Sequence, residues 1–193
     1  TCFALSAQEE ETEEKPTFSV AGSIDTYFRG SDYAPKTSFA NLPGFSVGMA
    51  NVILSYEGEK SGFVADFVYG PRGVEAVFNS SGSSNIVNQL YAYLNVSDNF
   101  TLTLGNWNTF LGYEVISPTA NFNYSTSYMF SYGPFSHTGI KADFTLSENT
   151  SLMLAVMNQT DFTEGNFDSA DTGLVFDAYM FGAQLGISGQ YLN

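Results

Sequence analysis

Residues Thr17–Arg29, TFSVAGSIDTYFR, put Phe18, Val20, Ile24 and Phe28 at even positions and Ser19, Ser23, Asp25 and Arg29 at odd ones. A period of two held over that length describes a β-strand with one apolar and one polar face. The strand is also long. Soluble sheets favour about 5–6 residues, whereas a strand that crosses a membrane at a tilt needs about 9–11. The same alternation returns along the chain, so further strands are expected over Phe45–Glu57, Gly62–Tyr69, Ile86–Val96, Phe100–Gly105, Ser136–Leu146, Ser151–Gln159 and roughly Tyr179–Ser188. With the first, that makes about eight.

The connections add a second constraint. Short turns at Gly58, Ser97 and Ser147 alternate with long connections after Arg29, Tyr69, Asn106 and Gln159. Outer-membrane barrels keep short periplasmic turns and long extracellular loops in this alternation, and a soluble meander has no reason to. No apolar run approaches the roughly 18 residues of a membrane-crossing helix, but a closed barrel satisfies every backbone group internally and needs no such helix. The expected fold is all-β, an antiparallel transmembrane β-barrel. A soluble barrel or sandwich with its polar faces outward is the alternative, and it leaves strand length and loop asymmetry unexplained.

Charged residues make up 13% of the chain, about half the soluble norm of ~25%, which fits strands that show one face to lipid. The formal net charge of -14, with only six Lys and Arg, excludes nucleic acid as a partner, because phosphates need cations. A single cysteine, Cys2, excludes an intrachain disulfide framework and a cysteine-based zinc cluster. Residues 1–7, TCFALSA, read as a signal-peptide remnant cleaved after Ala7, residues 8–16 as an acidic periplasmic linker, and residues 17–193 as the barrel.

Between Asn106 and Ser136 the alternation stops. So long an aperiodic segment is read as functional, a loop over residues 106–136 folded inward as a constriction or plug, anchored by Trp107 at one end and His137 at the other. Pore-lining candidates are Asp25, Arg29, Asp66, Lys141 and Asp143 on the polar strand faces, with Trp107, Glu114 and His137 at the constriction. Glu114 has apolar neighbours and would need a cation such as Arg29, Arg72 or Lys141 if buried. The segment is dense in aromatics, of which Tyr113, Tyr124, Tyr128 and Tyr132, interleaved with Asn and Ser, could stack on a solute; the simpler reading packs them against the wall.

His137 is the only histidine, and Ser136 beside it on a strand points to the opposite face, so no nucleophile and base pair arises and no enzyme is expected. Asp161, Glu164, Asp168 and Asp171 have oxygen ligands suited to calcium but not the EF-hand spacing, and are read as a solvated loop. Neither a metal nor a cofactor is expected.

The central stretch also resembles the OmpL-like β-barrel porin family. The residues that carry the resemblance are Gly112, Tyr113, Glu114 and Ile116, then Asn123, Tyr124 and Ser125, then Ser131 to Phe135, and His137, Thr138 and Gly139. Weaker echoes are GPRG at Gly70–Gly73 and QLYAYL at Gln89–Leu94. The resemblance implies an outer-membrane channel of a Gram-negative bacterium, exported by a signal peptide, without enzymatic activity. It further implies a larger barrel of which these strands are part, because the family's chains are longer and such barrels commonly end on an aromatic, whereas this sequence ends GISGQYLN. The expected function is passive diffusion of small hydrophilic solutes through a water-filled lumen. The alternative is a substrate-specific channel or receptor for an oligosaccharide, using segment 106–136. The partners are outer-membrane lipid and the solutes, with homo-oligomerisation left open.

Overall fold

The computed structural model describes residues 16–33, 42–77, 85–164 and 179–189. The expected signal remnant, residues 8–15 of the linker, and Asp168 and Asp171 lie outside the described residues. Eight antiparallel strands form one sheet in sequence order: β1 (Thr17–Arg29), β2 (Gly44–Glu57), β3 (Ser61–Tyr69), β4 (Val87–Ser97), β5 (Phe100–Asn108), β6 (Ser136–Ser147), β7 (Thr150–Met157) and β8 (Met180–Ile187). The chain is thus all-β with few helical residues. Among the described residues the sheet is open, with β1 and β8 as its edges.

Each strand pairs with the next, so every turn joins spatial neighbours and the register follows from the shared faces. Phe18, Val20, Ile24, Phe28, Phe45, Leu90, Leu94, Leu104, Leu154 and Phe181 are exposed on one face. The opposite, inner face holds the buried Asp25, Met49, Asn51, Asp66, Val68, Thr103, Trp107, His137, Met153, Ala155 and Met157.

Two bulges shape the inner face. Asp25 pairs with Met49 and Thr26 with Val47, which leaves Gly48 as the extra residue. A Cβ at Gly48 would overlap the Asp25 carboxylate, so glycine is what lets that side chain lie flat. Likewise Asp66 pairs with Gln89 and Phe67 with Val87, and the extra Asn88 turns its amide to Asp66.

Strand β5 runs three residues beyond the end expected from sequence. Gly105 at φ 137 lets it pass where any Cβ would overlap the carbonyl of Leu90. In place of a plain loop after β3, a short helix α1 (Pro71–Ala76) starts on Pro71, a residue suited to a first helical turn. Segment 106–136 holds a 3₁₀ turn at Pro118–Ala120 and a helix α2 (Tyr128–Tyr132), capped by the Ser127 hydroxyl accepting from the Phe130 amide at 3.2 Å.

Candidate functional site

The long segment leaves β5 and enters β6 through a closed neck. Trp107 lies directly opposite His137, and Asn108 opposite Ser136. The Thr109 amide donates to the Phe135 carbonyl at 3.0 Å, and the Thr109 hydroxyl lies 3.0 Å from His137 Nε2. From the other side Asp161, at φ 64, accepts the amides of Phe135 at 2.7 Å and Ser136 at 2.9 Å. Burial pushes the Asp161 carboxyl above its ordinary range, and the two amides pull against that shift. Asp161 is therefore a clasp on the neck, not a member of a solvated acidic loop as its sequence context suggested.

Past the neck the segment lies on the inner face of β2 and β3. Ile116 and Phe130 pack with Met49, Val68 and Val77, and Phe135 rests against the same cluster, meeting Phe130 edge to face at 5.0 Å. Beside this apolar contact sits a polar latch centred on Arg72, which is 0% exposed. Its Nε donates to the Ile116 carbonyl at 2.7 Å and its Nη1 to the Tyr124 carbonyl at 3.3 Å, while the guanidinium lies 5.5 Å from the Tyr124 ring. The Tyr124 hydroxyl in turn donates to Asp25 Oδ2 at 2.9 Å. Helix α1, the segment and β1 are thus tied by three side chains.

The latch strains the titration of its members. Burial lowers the Arg72 pKa, against the raising influence of Tyr124 and Asp25. Tyr124 is pushed up, first by burial and then by its bond to Asp25. Both shifts have withdrawal from water as their first cause; the neighbouring charges oppose it at Arg72, and the Asp25 carboxylate adds to it at Tyr124.

The remaining candidates fall into different surroundings. Asp66, 4% exposed, accepts from Asn51 Nδ2 at 3.3 Å and Asn88 Nδ2 at 2.7 Å, and Asn51 Oδ1 accepts from the Ser23 hydroxyl at 2.7 Å. This row of amides crosses four strands, so the Asp66 charge is sequestered and not bare to solvent. Arg29 ends β1 opposite Gly44, half-buried. Lys141 and Asp143 form an ion pair at 2.8 Å, with the Lys141 ammonium 5.9 Å from the Trp107 ring. Trp107 and His137 are buried: Trp107 packs with Met153, Ala155 and Met157, and the Phe110 ring lies 4.8 Å from that of His137.

The structure corrects the partner expected for Glu114. Among the described residues no cation forms an ion pair with it; its carboxylate accepts the Ser127 amide at 2.8 Å and the Ser127 hydroxyl, because the turn into α2 brings this N-cap residue to it. All four tyrosines are exposed to some degree, Tyr124 least, and Tyr124 spends its hydroxyl on the latch. Arg72, Ile116 and Phe130 hold the segment against the sheet, a role not expected of them from sequence. The available signal was Arg72 itself, one of only six basic residues, held between Pro71 and Gly73. Among the described residues no three His, Cys, Asp or Glu side chains converge as a metal site requires.

The family described as "Putative beta-barrel porin-2, OmpL-like" matches residues 17–190, nearly the whole chain. The chain belongs to this porin family. No curated protein and no solved structure matches it. A porin is in the general case a channel.

Proposed function

We propose that the protein is an outer-membrane porin that passes small hydrophilic solutes by diffusion, with segment 106–136 narrowing the lumen. The observation that carries this reading is the latch, in which Tyr124 reaches Asp25 across 99 residues of sequence and Arg72 reaches Ile116 across 44. A segment that only connected two strands would not need a buried arginine to hold it against the sheet. The exposed Leu, Val, Ile and Phe of the outer face meet lipid, and the inner face meets solute and water.

The acidic balance of the chain favours cations over anions in the lumen, as rings of acidic groups do in other channels. Export by a signal peptide and residence in the outer membrane of a Gram-negative cell complete the reading. The full-length protein in planar bilayers tests it: ohmic single-channel currents with a mild preference for cations are expected, and the absence of any current would sink the porin reading.

A further inference from the structure

The aromatics of the long segment divide into two sets. Trp107, Phe110, Phe130 and Phe135 pack against the sheet or the neck. The second set is displayed: Tyr113 and Phe122 stack on each other at 5.5 Å and 21°, and Tyr128 and Tyr132 at 6.4 Å and 14°, yet Tyr113 is 60%, Phe122 91% and Tyr132 82% exposed. Packing does not account for rings left this bare on a segment that is otherwise held down.

The two stacks stand on stretches that are joined. Glu114, next to Tyr113, holds the amide and hydroxyl of Ser127, next to Tyr128. Between the stretches opens a cavity of about 200 Å³ lined by Leu111, Tyr113, Glu114, Met129, Phe130 and Pro134. Its floor is made by Gly112, which at φ 83 turns the chain tightly and would bring a Cβ to 3.6 Å from Met129 Cε. The volume is below the ~300–1,000 Å³ of a pocket that encloses a whole ligand, so it takes a single ring while the rest of the molecule lies outside.

We propose that this cavity, with the Tyr113 ring that lines it and the Phe122 ring stacked on Tyr113, forms a docking site for neutral oligosaccharides. The inference rests on the reading of segment 106–136 as a lumenal constriction. Solutes that reach it are water-soluble, so a bare aromatic face is useful there only to a molecule that is polar at its edges and apolar on its faces. A pyranose ring is such a molecule: its C–H face lies on Tyr113 and its hydroxyls stay in water or bond Glu114, which has acceptor capacity left beside Ser127. The net charge of -14 excludes acidic saccharides in favour of neutral ones.

The test uses the full-length protein in planar bilayers, where sugar-free current is recorded first and judges the porin reading on its own. Maltohexaose is then titrated against a polyethylene glycol of matched mass. The site predicts saturable block by the saccharide alone, with Tyr113→Ala raising the half-blocking concentration about tenfold, which corresponds to ~1.4 kcal/mol, and Tyr113→Phe retaining the wild-type value. Equal block by the glycol, or block indifferent to Tyr113→Ala, overturns the proposal. Equilibrium dialysis of labelled maltohexaose against the same protein in lipid vesicles reads the site without current: binding that Tyr113→Ala weakens supports it even in a silent channel, and no saturable binding overturns it.

Discussion

The inner face of the sheet has two halves that are built differently. Under β1 to β4 it is mainly polar, with Ser23, Asn51, Asp66 and Asn88 in a hydrogen-bonded row, the Arg72, Tyr124 and Asp25 latch above, and Met49 and Val68 as an apolar patch that seats Ile116 and Phe130. Under β5 to β7 it is mainly apolar, with Trp107, Met153, Ala155 and Met157 in one cluster closed by Tyr91 and Phe110, and Thr103, His137 and the ion pair of Lys141 and Asp143 as its polar groups. The same segment spans both. At its neck it is held by the buried cluster together with the Asp161 clasp, and at its far end by the packing of Ile116 and Phe130 together with the latch, where the directional bonds of a few atoms decide how it lies. On the proposed porin reading, the first effect of a change in the apolar half is on stability and of one in the latch on the lumen.

The largest effect is expected in the apolar half. Trp107→Ala removes the centre of that cluster and should cost about 3–5 kcal/mol in urea unfolding of the lipid-reconstituted protein. Its latch is untouched, so whatever channel folds should keep quiet currents.

In the polar half, Arg72→Met takes the arginine donor from the buried Ile116 carbonyl and the part-buried Tyr124 carbonyl, at a cost of about 2–3 kcal/mol. Here the currents should change most, with larger mean conductance and added flicker as the segment lifts. If Arg72→Met were quiet and Trp107→Ala noisy, the division between the halves would be the reverse of the one described.

Tyr124→Phe removes one bond, that to Asp25, and should cost about 1.5 kcal/mol with an intermediate rise in flicker. Alkali should reproduce it in the unmodified protein. The phenol keeps its proton in the folded chain above the ordinary value near 10, so the stability it contributes is intact below pH 10 and is lost as pH rises beyond it. Flicker that grows above pH 10 in the wild type, and not in Tyr124→Phe, would tie the effect to this hydroxyl.

The sequence made the sheet legible because each strand answers to two different solvents and records them with a period of two. It located β1 at Thr17–Arg29 to the residue. It also carried a sign of the apolar half, since β7 is apolar on both faces: Leu152, Leu154 and Val156 on one, Met153, Ala155 and Met157 on the other. Such a strand must bury its inner face against something apolar, and Trp107 and Phe110 provide it. The six residues of α1 are too few to show a helical period, and Pro71 and Gly73 look like turn residues. The latch was not legible at all, because its bonds join Asp25, Arg72, Ile116 and Tyr124 through folding and not through any local pattern. Glu114 misled for the opposite reason: its partner Ser127 is a small neutral residue that satisfies a carboxylate as well as a cation would, and leaves no charge pattern to read.

Thiol labelling of two positions in the segment tests its inward placement most directly. Ile116, buried against Met49 and Val68, and Phe122, 91% exposed, are replaced by Cys one at a time in a Cys2→Ala background and reacted with a small maleimide in lipid vesicles. The account predicts rapid labelling at 122, strong protection at 116, and loss of that protection when Arg72→Met is added. Equal rates at the two positions in the latched protein would contradict it, because the segment would then stand in solvent instead of lying on the sheet.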